Sequence, residues 1–211
     1  MPIIQTSGPL PDRVPLDFYP TPEKLVNRMA EEALYYLPAD VPDDRLRILD
    51  PGCGTGVFGK ALQGRTLGWP HIVGIELDPG RAVEARKTGA YSVVLTIPYA
   101  EYKSRLGFDL IIGNPPYYLA EAFVRQSLDL LNPDGTIMFL LRTAFMESQG
   151  RYHRLFKRRE TRPTEVWSLV ERPSFTGNNK TGSDAYAIFI WERRRNHRFP
   201  DFTSLKWLSW R

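Results

Sequence analysis

Short apolar runs alternate with amphipathic ones along most of the chain, and that alternation restricts its fold more than any other property. "RLRILD" (45–50), "HIVGIELD" (71–78), "YSVVLTI" (91–97), "FDLIIGN" (108–114) and "GTIMFLLR" (135–142) have strand length and are rich in Ile, Leu and Val. "VFGKALQGR", "PGRAVEARKTG" and "LAEAFVRQSLDLL" lie between them and suit helices, the second stopping at Gly89. "TPEKLVNRMAEEALYYL" precedes the series as a helix with Thr21 as its N-cap and Pro22 in its first turn. The turn "NPDG" leads into the fifth strand. "RYHRLFKRRE" reads as a further helix, and "EVWSLVE" and "DAYAIFIWER" as two last strands. This succession predicts an α/β fold: one domain around a doubly wound, mostly parallel, seven-stranded sheet. Ligands of such sheets sit beyond the carboxyl ends of the strands, so the residues that follow each strand are the ones to inspect.

A length of 211 residues suits one such domain better than two. No run approaches the ~20 apolar residues of a membrane span, and the Pro-rich start lacks the form of a secretory signal. The start reads instead as an extended arm, residues 1–17, ahead of a domain over 18–192 and a basic, aromatic tail over 193–211. The single cysteine, Cys53, excludes an intrachain disulfide and suits a reducing, cytoplasmic setting. A net charge of +4 is weak evidence by itself. Its clustering in "RYHRLFKRRETR" and "RRRNHR" fits either a polyanionic partner or two solvated faces. His71, His153 and His197 are scattered, with no spacing that suits a metal.

Directly after "RILD" comes "PGCGTGVFGK". Gly52, Gly54 and Gly56 allow a tight turn and a close backbone approach, and the next helix presents free N–H groups. Asp50 stands where it would repel a pyrophosphate but suit a cationic amino-acid group. Glu76 ends the second strand, a position from which an acid takes ribose hydroxyls. Together they describe a pocket for a nucleoside with an ammonium-bearing tail and no phosphates, which fits S-adenosyl-L-methionine.

With "DLIIGNPPY" added, the series resembles the class I S-adenosylmethionine-dependent methyltransferases, whose fold is Rossmann-like. "FYPTPEKLV" resembles a further motif of the N6-adenine methyltransferases among them, especially short ones of phages and prophages. "FLLR" and "RPSFTG" are familiar from the same group. The resemblance implies cofactor contacts from Tyr19, Thr21, Asp50, Gly52, Gly54, Gly56, Glu76, Leu77 and Asn114, and the host cytoplasm for a phage-encoded protein.

Asn114, Pro115, Pro116 and Tyr117 are then the catalytic candidates. The adenine amine is a poor nucleophile, its lone pair delocalised into the ring. A side-chain carbonyl from Asn114 and a main-chain carbonyl from Pro115 can accept its hydrogens and draw the nitrogen toward tetrahedral geometry. The prolines hold those acceptors still, and Tyr117 offers a face on which a purine stacks, worth ~1–3 kcal/mol. Methylation at C5 of cytosine would need a nucleophilic cysteine at this seat, and Cys53 lies in the glycine loop.

DNA is the favoured substrate, flipped from the duplex or single-stranded. Arg151, Arg154, Lys157, Arg158 and Arg159 are candidates for phosphate contacts, and Phe175 for an aromatic contact to the base. RNA uses the same seat. A protein glutamine also presents a planar amide nitrogen, although glutamine methyltransferases carry a helical domain ahead of the glycine loop. A binding module without activity is the remaining alternative. One departure stands out: "VVLTIPYAEY" has no acid directly after the third strand, where relatives hold the cofactor's adenine, leaving Thr96, a backbone amide or Glu101 for that contact. Sequence reading would fall to loops, the arm or the tail, where Trp207 and Trp210 have the spacing of a helix packed on the domain.

Overall fold

A computed structural model describes residues 20–66, 68, 70–175, 184–193 and 202–211. Its elements follow in the order α1 (Glu23–Leu34), β1 (Arg47–Pro51), α2 (Val57–Gln63), β2 (His71–Ile75), α3 (Pro79–Lys87), β3 (Val93–Leu95), β4 (Phe108–Gly113), α4 (Ala120–Leu130), β5 (Leu131–Arg142), α5 (Gln149–Arg151), β6 (Glu165–Leu169), β7 (Tyr186–Glu192) and β8 (Ser204–Leu208). The strands form one sheet in the order β3-β2-β1-β4-β5-β7-β6-β8. Among the described strands, only β7 runs antiparallel to its neighbours.

The central strands are apolar on both faces because helices cover both. Leu110 and Ile112 of β4 join Leu25, Met29, Phe58 and Leu62 of α1 and α2 in one cluster. Ile111 points the other way, to Phe123, Val124 and Leu128 of α4 and Leu155 beyond α5. Trp191, Phe139 and Phe189 are fully buried. Large side chains buried to this degree contribute roughly 1.5–3 kcal/mol each, so much of the fold's stabilisation lies at the sheet centre.

Four expectations change. The sheet has eight strands, not seven, because the tail is not helical: Ser204–Leu208 pairs in parallel with β6. Trp210 packs at the second core cluster and donates its indole N–H to Glu171 O, while Trp207 points outward at 71% exposure. "NPDG" is no free turn but an irregularity inside β5, where the register shifts opposite Phe108 and Leu110. There a Cβ on Gly135 would come within 2.6 Å of Phe108 O, so only glycine lets the strands close. The basic helix is short: a single α turn and a π-helical turn, Tyr152–Phe156, carry it no further than Phe156. Finally, Thr21 does not cap α1. Pro22 takes that position without a side-chain bond, because the Thr21 hydroxyl is held by a residue 93 positions away.

Candidate active site

Strand order reverses between β1 and β4, so the connections that leave their carboxyl ends diverge and open a crevice. The loop after β1 forms one wall. Gly52, Gly54 and Gly56 have φ of +73°, +56° and +89°, conformations that cost an L-residue strain. A side chain at Gly56 would also meet Ala85 Cα at 3.0 Å. The loop is tied to β2, with the N–H groups of Gly52 and Cys53 both donating to Ile75 O (2.7 and 2.9 Å).

Glu76, at the end of β2, is buried but well supplied with donors. Its Oε2 accepts the Gly54 N–H (2.8 Å) and its Oε1 the Asp78 N–H (2.8 Å), with Arg81 Nη2 3.4 Å from Oε1. Asp50 is fully buried. Its Oδ2 accepts the Tyr91 hydroxyl (2.7 Å), which in turn accepts the Gly59 N–H of α2 (3.0 Å), and its Oδ1 has no hydrogen-bond partner among the described residues. Burial pushes the Asp50 carboxyl up to about 7; the Tyr91 hydrogen bond opposes this, and the nearby Glu76 charge adds to it. Burial also drives the Cys53 thiol far above its ordinary range, so no thiolate forms there.

The loop after β4 forms the facing wall. Asn114 Nδ2 donates to Thr21 Oγ1 (3.0 Å), which joins the segment ahead of α1 to the mouth of the crevice. That bond fixes which edge of the amide is the carbonyl edge. Between the walls lies a cavity of about 200 Å³, bordered by Thr21, Gly52 to Thr55, Glu76, Leu77, Ile97 to Ala100, Asn114, Pro116, Tyr118 and the α4 residues Ala122, Phe123 and Gln126.

Of the residues expected from sequence, Thr21, Gly52, Gly54, Glu76, Leu77, Asn114 and Pro116 therefore meet around one cavity. Asp50 lies off its wall, as does Gly56, which backs onto Tyr91 and Ala85. Pro115 is buried. Tyr19 lies outside the described residues. Tyr117, expected to offer a face to a purine, is packed among other side chains. It is half-buried, 5.6 Å from the Tyr186 ring, with the Arg142 guanidinium 5.0 Å from its own centroid. Burial holds its phenol well above the usual range, Tyr186 adds to this, and a hydrogen bond to Asn114 opposes it. Phe175 packs at 5.0 Å on Tyr186, so an aromatic group gathers beside Asn114. The polar loop that follows Phe175, residues 176–183, lies outside the described residues.

The five basic candidates divide. Arg151 donates to Phe145 O (2.6 Å) and Ala144 O (3.1 Å). Arg154 forms a two-pronged pair with Glu121 at the start of α4 and holds that carboxyl below its ordinary range. Arg159 is half-buried, whereas Lys157 and Arg158 project into solvent. "RRRNHR" lies outside the described residues beyond Arg193, which caps α4 through Leu128 O and Leu131 O. Thr96 is taken by Arg86, whose Nη2 donates to its hydroxyl (2.7 Å). Tyr91, Arg81, Tyr118 and Gln126 were not singled out by sequence reasoning. Tyr91 and Gln126 are placed by the meeting of distant elements, Tyr91 on Asp50 and Gln126 on the Tyr99 and Tyr102 carbonyls, whereas Arg81 pairs locally with Glu76 and Asp78.

No protein-family profile matches the chain. Among known proteins, it is 30% identical to the type II methyltransferase M.CvrRI of Paramecium bursaria Chlorella virus XZ-6E, over 42% of this chain and 25% of that protein. It is 27% identical to a tRNA1(Val) (adenine(37)-N6)-methyltransferase of Bacteroides thetaiotaomicron, over 64% of this chain and 70% of that protein. The chain thus spans a quarter of the viral relative and over two thirds of the bacterial one. Among solved structures, a protein of Listeria monocytogenes assigned to the class I S-adenosylmethionine-dependent methyltransferases superposes with a TM-score of 0.70, over 89% of this chain and 65% of that one, at 17% identity. The fold is that of the class I S-adenosylmethionine-dependent methyltransferases.

Proposed function

We propose that the protein transfers a methyl group from S-adenosyl-L-methionine to the exocyclic N6 amine of adenine in a nucleic acid, DNA being the favoured substrate. The observation that carries this reading is Asn114, pinned by Thr21 across a cavity from a glycine loop with acids at its base. The residues fit the cofactor. Glu76 is an acid suited to ribose hydroxyls, and the buried Asp50 has an unsatisfied oxygen beneath the loop. Neither would tolerate a phosphate. Asp50 and Glu76 favour a cationic ligand, and Leu77 and Ile97 provide apolar wall for a base.

When bound, the cofactor supplies an electrophilic methyl group. The chain's task is to hold the acceptor amine in line and to stabilise the positive charge that grows on it. The Asn114 carbonyl and the Pro115 carbonyl accept the amine hydrogens and localise the nitrogen lone pair. Tyr117, backed by Tyr186 and Arg142, provides the flat support for the purine. No covalent intermediate with the chain is involved.

The likeness to a tRNA adenine-N6 methyltransferase supports a second reading in which the acceptor is RNA. The test is transfer of label from radioactive S-adenosylmethionine to duplex DNA, single-stranded DNA, structured RNA and a protein lysate in parallel. Label in N6-methyladenine from DNA supports the first reading, and label in RNA the second. Label in protein, or none in any substrate, overturns both.

Phosphate contact falls to the exposed Lys157 and Arg158 rather than to Arg151 and Arg154, which are held by internal partners. Changing both to alanine is expected to weaken nucleic-acid binding and reduce the slope of log K against log salt by about 2 on duplex DNA. Titrations from low to moderate salt measure this. An unchanged slope assigns the pair to a solvated surface.

A further inference from the structure

We propose that Gln126 reads the cofactor's adenine, accepting a hydrogen bond from its exocyclic amine through Oε1; this rests on the S-adenosylmethionine reading above. The wall after β3 has no acid for that task. Thr96 is occupied by Arg86, and Glu101 is exposed and off the cavity wall. Gln126 reaches the same wall from α4. Its Nε2 lies 2.5 Å from Tyr99 O and 3.1 Å from Tyr102 O. Only an NH2 group can satisfy two carbonyls at once, so both of its protons are spent and the amide cannot flip without setting oxygen against oxygen. Oε1 is therefore locked as an acceptor on a residue that borders the cavity.

An acceptor fixed in this way selects an amine over a carbonyl or a bare C–H at the purine 6-position. A neutral amide binds that amine less strongly than a carboxylate would. The cavity thus keeps adenine selectivity without the acid after β3, and with lower affinity.

The test is calorimetric binding of three ligands: S-adenosylhomocysteine, its 6-H purine analogue and its 6-oxo analogue. The wild-type protein is expected to bind the 6-H analogue about tenfold more weakly, because an acceptor is left unsatisfied, and the 6-oxo analogue more weakly still. In Gln126→Met the adenosyl ligand is expected to weaken about tenfold, and the preference over the 6-H analogue to shrink to within about twofold. A purely structural role, bracing the Tyr99–Tyr102 turn, would lower thermal stability without changing that ratio. Equal wild-type affinity for the adenosyl and 6-H ligands overturns the assignment without any variant having to fold, as does full discrimination in Gln126→Met. Failure of all three ligands to bind wild-type protein overturns the cofactor reading itself, and this assignment with it.

Discussion

Replacing Asn114 with alanine is expected to lower methyl transfer by about 10²–10³-fold, the scale seen when a preorganised group facing developing charge is removed. The substitution deletes the acceptor for the amine proton and leaves the fold intact. Asn114 is half-buried, at the end of β4 and outside the core clusters, and its amide N–H donates to Thr21. It is one of several residues that border the cavity, together with the glycine loop and Glu76. Cofactor affinity is therefore expected to change by no more than a few-fold. Single-turnover transfer at saturating nucleic acid, with calorimetric titration of S-adenosylhomocysteine on the same preparation, separates the two effects. Turnover within tenfold of wild type would remove Asn114 from the chemistry. A parallel collapse of cofactor binding would make it a wall of the cavity instead.

The sheet was readable because its central strands are covered on both faces. Such strands appear as unbroken apolar runs, as in "FDLIIG", and the helices between them show their buried stripe. The eighth strand was not, because β8 lies at the sheet edge. Leu205, Lys206 and Trp207 are all exposed there, so no alternation marks it and two tryptophans three apart suggest a helix. The site divides in the same way. Residues placed by one strand end and its following turn, such as Gly52, Gly54, Glu76 and Asn114, could be named from local sequence. Those placed by tertiary packing could not. Tyr117 could be read as a stacking face, but the packing of Tyr186 and Arg142 on it from strands farther along the chain could not. Arg151 and Arg154 looked like free cations until the Phe145 carbonyl and Glu121 claimed them. Asp50 was expected to meet the ligand from an open wall, yet it sits under the loop on Tyr91.

That burial makes the stability of the fold depend on pH through Asp50. In the unfolded chain its carboxyl titrates near its ordinary value of 3.8, and in the folded chain near 7. Between those values the folded protein holds a proton that the unfolded chain has released. Stability from this group is therefore complete below about pH 4, declines as pH rises, and is lost above about pH 7. The full difference is on the order of 4 kcal/mol. Asp50→Asn keeps an acceptor for the Tyr91 hydroxyl but cannot ionise, so its stability is expected to exceed that of wild type above pH 7 and to vary less between pH 4 and 7. Urea unfolding of both proteins across that range tests this, because every other titrating group is common to the two. Parallel pH profiles would mean that the Asp50 carboxylate is satisfied in the folded state by something other than Tyr91. The same ionisation is expected to strengthen cofactor binding as pH rises through 7, since a carboxylate beneath the glycine loop attracts a cationic ligand and a carboxylic acid does not. In Asp50→Asn that rise in affinity is expected to disappear, so that the variant gains stability by giving up the charge the ligand needs.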